Sequence, residues 1–248
     1  MPKYVISVKT FTDRHAHMEC QSQAFGFDFE YVFEYDADCL GDMGGRKVSK
    51  TLTPESVSNV LKHLEAVRKT TVGNSECVLV LEDDVVLFDR FFERLKDVLT
   101  MARDLPPGWL IFLGGADNRI TSEVASSESF KLVQHPITTA EAYLIDKRGC
   151  ILREEWMQEH EINCQADHQL KKMDRQLGIR HYWVSEPLAT QGSITGKFKT
   201  ALDKSRAKRS RLFLRLKYEF NRIRRQLFPR VIARIGNKLR LWLWLGND

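Results

Sequence analysis

Three consecutive carboxylates, Glu82-Asp83-Asp84, directly follow the apolar run Cys77-Val78-Leu79-Val80-Leu81. Adjacent anions repel one another, and a bound cation or a ligand rich in hydrogen bonds offsets that cost. A hard divalent ion, Mn²⁺ or Mg²⁺, accepts carboxylate oxygen and keeps positions open for phosphate oxygens, so it can neutralise charge building on a departing diphosphate. In an extended backbone Glu82 and Asp84 project to one side and Asp83 to the other. Two acids then address a shared ligand while the third reaches a neighbour. The competing reading is a solvated acidic loop, and spacing alone leaves the two level.

Elements around the cluster decide where it stands. A continuous apolar run such as Cys77 to Leu81 suits a strand buried on both faces, and in α/β sheets ligands gather beyond the carboxyl ends of strands. Tyr4 to Val8 reads as another buried strand leading through a polar stretch into a loop and helix. Phe27, Phe29, Tyr31 and Phe33 alternate with polar and apolar neighbours in a strand period. Val57, Val60, Leu61, Leu64 and Val67 recur at helical spacing behind a Thr53 cap and Pro54. Phe88 to Ala102 reads as a helix stopped by Pro106-Pro107-Gly108, and Trp109 to Leu113 as a strand ending in Gly114-Gly115. Thr139 to Ile145 (strand), Lys147 to Gln158 and Gln165 to Leu177 (helices) and His181 to Val184 (strand) complete an α/β alternation.

Composition narrows the classes further. The 248 residues, 43% apolar and 29% charged, can bury one large core. The opening residues hold too short an apolar stretch for a signal peptide, so export by that route is not expected. Five scattered cysteines without a Cys-x-x-Cys pair read as reduced thiols of a cytosol and as small core residues. The seven histidines show no zinc-ligand spacing, and there is no Gly-x-x-x-x-Gly-Lys-Ser/Thr phosphate loop.

Several short motifs, in order, resemble those of glycosyltransferase family 25, the lipopolysaccharide and lipooligosaccharide glycosyltransferases. Val80-Leu81-Glu82-Asp83-Asp84-Val85 resembles the Asp-x-Asp-type metal motif of such GT-A enzymes. Val5-Ile6-Ser7-Val8 followed by Arg14 is similar to the family's first strand and arginine, and Gly26-Phe27-Asp28-Phe29-Glu30 to its second-strand entry. Thr138 to Ile145 resembles its Thr-x-Ala-Tyr strand with one extra residue between the parts. Asp167 stands where an aspartate is expected, and Pro187-Leu188-Ala189-Thr190-Gln191 with Ser193-Ile194 is similar to the closing Pro-x-x-x-Gln segment. The likeness spans about residues 4 to 196. Where the family has Ser-His in the helix before the acidic motif, this chain has Lys62-His63.

The resemblance implies a GT-A nucleotide-sugar-binding fold, a Rossmann-like mixed sheet flanked by helices, and transfer with inversion at the anomeric carbon. It implies Mn²⁺ or Mg²⁺ on Asp84 and Glu82, with Asp83, Gln191 and His63 near the donor; the competing account of His63 is a buried structural histidine. Inversion needs a general base for the acceptor hydroxyl. Asp167 is the first choice, against a purely structural role as a helix-start acid, and Glu141 is the reserve. Arg14 as a diphosphate partner and Gly114 as a point of close backbone approach are equally well explained as a surface cation and an ordinary turn. The expected reaction moves a hexose, by analogy galactose, from a uridine diphosphate sugar to a lipid-linked or oligosaccharide acceptor of lipopolysaccharide type. A non-catalytic scaffold with the same fold and a metal-dependent phosphoryl-transfer enzyme are the alternatives.

The net charge of +5 divides unevenly. Residues 197 to 248 hold 16 Lys and Arg against 3 Asp and Glu, which leaves 22 against 30 for residues 1 to 196. We place a catalytic domain over 1–196 and a basic amphipathic helical tail over 197–248. Leu216, Phe220, Ile223, Leu227, Val231, Ile235, Leu239 and Trp242 recur every three or four residues among arginines, and Trp244 follows. Such a helix is expected to lie on an anionic membrane surface, here the cytoplasmic face of an inner membrane, and not to cross it. A helix packed on the body and a dimerising helix compete with that reading. Nucleic acid is not an expected partner.

Overall fold

The computed structural model describes residues 1–41, 45–115, 120, 125, 130–135, 139–199, 209–233 and 235. Leu239, Trp242 and Trp244 of the tail, and Thr138, lie outside the described residues.

Among the described residues, a seven-stranded mixed sheet flanked by helices forms the body, as expected. The strands are β1 (Lys3–Ile6), β2 (Glu30–Val32), β3 (Cys77–Glu82), β5 (Trp109–Phe112), β6 (Leu132–Gln134), β7 (Ala142–Asp146) and β8 (Arg180–Val184), in the order β2-β1-β3-β7-β5-β8-β6. A short pair, β4 (Val85–Leu87) with β9 (Ala189–Gln191), stands apart from it. β1 runs parallel to β2 and β3, β5 parallel to β8, while β7 is antiparallel to both its neighbours. Val78 to Leu81 are wholly buried, as a strand covered on both faces requires.

The helices are α1 (Thr12–Phe25), α2 (Pro54–Val72), α3 (Phe91–Ala102), α4 (Lys147–Glu159), α5 (Ala166–Leu177), α6 (Gly192–Thr195) and α7 (Arg211–Arg222). α2 starts as its sequence predicts: the Thr53 hydroxyl accepts from Ser56 N at 3.3 Å, with proline at the first turn. Asp146 caps α4 through Gly149 N and also accepts from Gly108 N and Trp109 N, which ties the Pro106-Pro107-Gly108 turn to the end of β7. Arg153 of α4 makes a buried bidentate pair with Asp174 of α5, and His181 of β8 reaches the same carboxylate at 2.7 Å. The pairing offsets the cost of burying the guanidinium, although Arg153 Nη1 is buried without a hydrogen-bond partner.

Three expectations need correction. The strand over Phe27 to Phe33 pairs only at Glu30–Val32, although the aromatic rings do line one side, Phe29 to Tyr31 and Tyr31 to Phe33 each at 4.8 Å. The helix after the acidic cluster begins at Phe91 and not Phe88, because β4 takes Val85–Leu87 and Arg90 is left-handed at φ 64°. All five cysteines are free, yet Cys20 and Cys39 are exposed, so the core-residue reading holds for Cys150 and not for those two.

The tail is no detached appendage. Leu214 and Tyr218 of α7 are buried, and the glycine at Gly196 leaves room for the helix, since a Cβ there would sit 2.7 Å from Arg211 O. After α7 a π-helical stretch, Ile223–Leu227, widens the turn. At about 100° per residue Gln226 would fall roughly 80° away from Tyr218; the wider turn returns it to the body, where its amide donates to Gly115 O. Leu214, Tyr218 and Gln226 therefore pack on the body across the expected boundary at residue 197.

Candidate functional site

The chain leaves β1 at Ile6 and β3 at Glu82, two parallel neighbours whose carboxyl ends open on one side. A cavity of about 300 Å³ lies there, with Ser7, Arg14, Lys62, Glu82, Asp83, Asp84, Gln191 and Ser193 in its wall. Ala37, Asp38, Glu55 and Asn59 complete another side of it.

The extended alternation expected of the three acids stops at Glu82, where β3 ends; Asp83 and Asp84 lie in a turn, and each acid has its own environment. Asp83 turns to neighbours: Arg14 Nη1 donates to its Oδ1 at 2.6 Å and the Ser7 hydroxyl to its Oδ2 at 2.7 Å. Burial raises the Asp83 pKa, and Arg14 and Ser7 pull against that rise. Glu82 Oε2 accepts from the Gln191 amide at 2.9 Å, and its Oε1 stands 3.5 Å from His63 Nε2. Asp84 is only 3% exposed. Its Oδ2 accepts from Ser193 N at 3.0 Å, while Oδ1 is buried with no hydrogen-bond partner. Burial first, then the Glu82 charge, pushes the Asp84 carboxyl up to about 7.

An orphaned carboxylate oxygen beside a second acid fits a hard divalent ion. Such ions are commonly held by one or two carboxylates, with phosphate oxygens and water taking the other positions. Asp84 would hold the ion directly, with Glu82 next to it. Among the described residues no three such side chains already converge as a protein-only cage.

Of the residues singled out from sequence, the fold brings Arg14, Glu82, Asp83, Asp84 and Gln191 into one cavity wall. Arg14 does more there than the diphosphate reading supposed. Besides Asp83 it binds Lys199 O through Nη2 at 2.6 Å, and its guanidinium lies over the rings of Phe11 and Phe198 at 4.8 and 5.8 Å. His63 is fully buried behind Glu82, its Nδ1 3.1 Å from the Tyr143 hydroxyl, so it acts from behind the wall.

Glu141, Gly114 and Asp167 do not line the cavity. Glu141 adjoins it through the backbone, its carbonyl accepting from Glu82 N at 2.9 Å. Its carboxyl is buried with Oε2 unpartnered, and burial pushes it up to about 8. Gly114 is small for the sake of that carboxyl and not for a ligand: a Cβ would fall 2.2 Å from Glu141 Oε1 and 2.9 Å from the Phe112 ring. Gly114→Ala is expected to lower stability by about 1–3 kcal/mol, the usual scale of overpacking, measured as a lower denaturant midpoint; an unchanged midpoint would show that Glu141 swings away freely. Asp167 sits half-buried on the first turn of α5, its Oδ1 accepting from His168 N at 3.0 Å. It lines a separate recess of about 20 Å³ with Tyr143, Arg153, Asp174 and His181.

Sequence reasoning gave no role to Ser7, Ser193 or Lys62. Ser7 and Ser193 lie inside the family-like strings quoted above, but an ordinary hydroxyl and a backbone N–H carry no signal until the fold aims them. Lys62, in place of the family's serine, is buried against Asp36 at 2.6 Å, and burial lowers its pKa against the pull of that carboxylate. A buried lysine in a helix shows in sequence only as a break in the polar face.

The raised carboxyls make stability depend on pH. A carboxyl whose folded pKa lies above its unfolded value binds its proton more tightly when folded, so stability falls as pH rises between the two values. For Glu141 that window runs from about 4.3 to about 8. With chelator present, the melting temperature should fall from pH 5 to pH 8, and Glu141→Gln should flatten the fall and melt higher than the parent at pH 8. Parallel profiles for parent and variant would refute the buried-proton account.

No protein-family model matches the chain, and no curated protein does. Solved structures similar to it include a nucleoside-diphosphate-sugar pyrophosphorylase from Vibrio cholerae, at 12% identity over 74% of this chain and 72% of that one, with a TM-score of 0.30. The inositol-1-phosphate CTP transferase from T. maritima follows at 11% over 88% and 78%, TM-score 0.34. A protein from Thermus thermophilus described as a mannose-1-phosphate geranyltransferase matches at 12% over 74% of each chain, TM-score 0.29. Likenesses of this size leave function to be argued from the site.

Proposed function

We propose that this chain is an inverting, metal-dependent glycosyltransferase resembling family 25, which moves a hexose, galactose by analogy, from a uridine diphosphate sugar to a lipopolysaccharide-type acceptor. The observation that carries the proposal is the buried, unpartnered Oδ1 of Asp84 in the wall of a cavity at the carboxyl ends of β1 and β3. A nucleoside diphosphate bound there meets Asp38 and Asn59 on one wall and Asp84 and Glu82 on the other. The divalent ion, when bound, would screen the diphosphate from the acids and stabilise it as a leaving group.

The protein's own residues do the rest. Arg14 and Ser7 hold Asp83 in place and so fix the turn that carries Asp84. Gln191 holds Glu82, and Ser193 N holds the other Asp84 oxygen, so the two acids keep their relative placement before a ligand arrives. Asp167 is proposed to take the acceptor proton, which requires the acceptor hydroxyl to reach from the Asp167 recess to the donor in the Asp84 cavity. The test is a calorimetric titration of the purified protein with UDP, GDP, ADP, CDP and ATP, with and without Mn²⁺, with phosphate release followed for ATP. Micromolar, Mn²⁺-dependent binding selective for UDP is expected. Tight binding of ATP with hydrolysis would favour phosphoryl transfer instead, and no nucleotide binding would favour a scaffold.

A further inference from the structure

The helical segment that begins with α7 has two faces of opposite character. Leu214, Tyr218 and Gln226 are buried against the body, and Ile120 N donates to Arg225 O at 3.2 Å. Arg230 donates to Ser185 O nearby. The other face is apolar and open: Leu212, Leu216, Phe220, Ile223, Leu227 and Val231 recur every three or four residues, each between 41% and 68% exposed. A docked helix has no need of that second stripe, since its packing is already met by the inner face. Contiguous apolar surface of this kind marks a site of interaction.

Charge selects the partner. Residues 209 to 235 carry nine Lys and Arg and one acid, Glu219, which lies 3.5 Å from Arg222. Arg215, Lys217, Arg222 and Arg224 are exposed on the flanks of the stripe. A like helix from a second copy would set nine cations against nine, whereas an anionic bilayer offers counter-charge and an apolar interior at once. No helix among the described residues is long and apolar enough to cross a membrane. We infer that the outer face of residues 211–233 is a docking surface for anionic lipid, with the stripe sunk at the headgroup boundary and the flanking cations on the phosphates.

The surface lies close to the cavity in structure. α6, whose Ser193 N holds Asp84, packs directly on α7. Docking would therefore bring the Asp84 cavity to the bilayer, where a lipid-anchored acceptor is found; that consequence alone rests on the transferase reading.

The test is flotation of the full chain with vesicles of phosphatidylglycerol and phosphatidylcholine, and with phosphatidylcholine alone. Binding to the anionic vesicles only, weakened by salt, is expected. Leu216→Glu with Phe220→Glu changes two exposed side chains and should abolish flotation while keeping the melting temperature. Arg215→Gln, Arg222→Gln and Arg224→Gln together should weaken it about 10²-fold and reduce the salt dependence. Absence of parent flotation at low salt, or unchanged flotation of the Leu216/Phe220 variant, overturns the inference. So does light scattering that shows a dimer which this variant converts to monomer, since the face is then an interface between copies. Metal-dependent UDP binding, measured without lipid, reports separately on the transferase reading.

Discussion

Asp84→Ala is expected to lose transfer by about 10³-fold or more while the protein stays folded. A metal ion at a leaving diphosphate contributes several kcal/mol of charge stabilisation in the transition state, and each 1.36 kcal/mol is about tenfold in rate. Folding should survive for a local reason. In the folded chain without its ion, Asp84 is a burden: it is buried, faces Glu82, and leaves one oxygen without a partner. Above pH 7 and in chelator the variant should melt no lower than the parent, because the alanine removes a carboxylate that burial and Glu82 disfavour. Turnover, Mn²⁺ affinity and melting temperature measured on one preparation decide the matter. Full turnover by a folded Asp84→Ala protein, or metal-independent donor binding by the parent, would defeat the assignment.

Asp84 was legible because a strand announces its own end. Five apolar residues followed by three acids mark both the buried β3 and its carboxyl end, whereas the turn at Asp83-Asp84, which sets where those two acids point, was not legible. Thr53-Pro54 announced α2 through a local hydrogen bond that needs no tertiary partner. What stayed hidden depends on other parts of the chain. β4 and β9 are three residues each and exist through each other, Val85 facing Gln191 and Leu87 facing Ala189. β6 is likewise a three-residue strand held at the sheet edge by β8. α1 has no clear apolar face, so only its polar run could be read.

The same limit governs the side chains of the site. Arg14 was legible as a cation near a diphosphate, but its partner lies 69 residues away and its strap, Lys199, 185 residues away. Gly114 was legible as small, and the reason for it, the Glu141 carboxyl, appears only when β5 and β7 pair. The tail's apolar period was plain in sequence. Which of its residues face the body was not, because the π turn at Ile223–Leu227 shifts the period midway.

Asp167→Asn is expected to keep donor affinity and slow transfer by about 10²-fold or more, the usual scale for loss of a general base. Donor affinity should hold because Asp167 does not line the cavity that carries Asp84. Glu141 is the weaker choice on its own chemistry: with its carboxyl pushed up to about 8 it holds its proton at neutral pH, and it is shut in behind Gly114. A base that is already protonated accepts nothing, so a Glu141 mechanism would require the rate to climb towards pH 8 and beyond. The two are separated by the pH dependence of kcat at saturating donor. With Asp167 as base, Glu141→Gln leaves the pH profile of the parent unchanged, and Asp167→Asn lowers kcat. A rise near 8 that Glu141→Gln removes, together with an Asp167→Asn variant as fast as the parent, would return Asp167 to the role of a helix-start acid and move the proton transfer to Glu141.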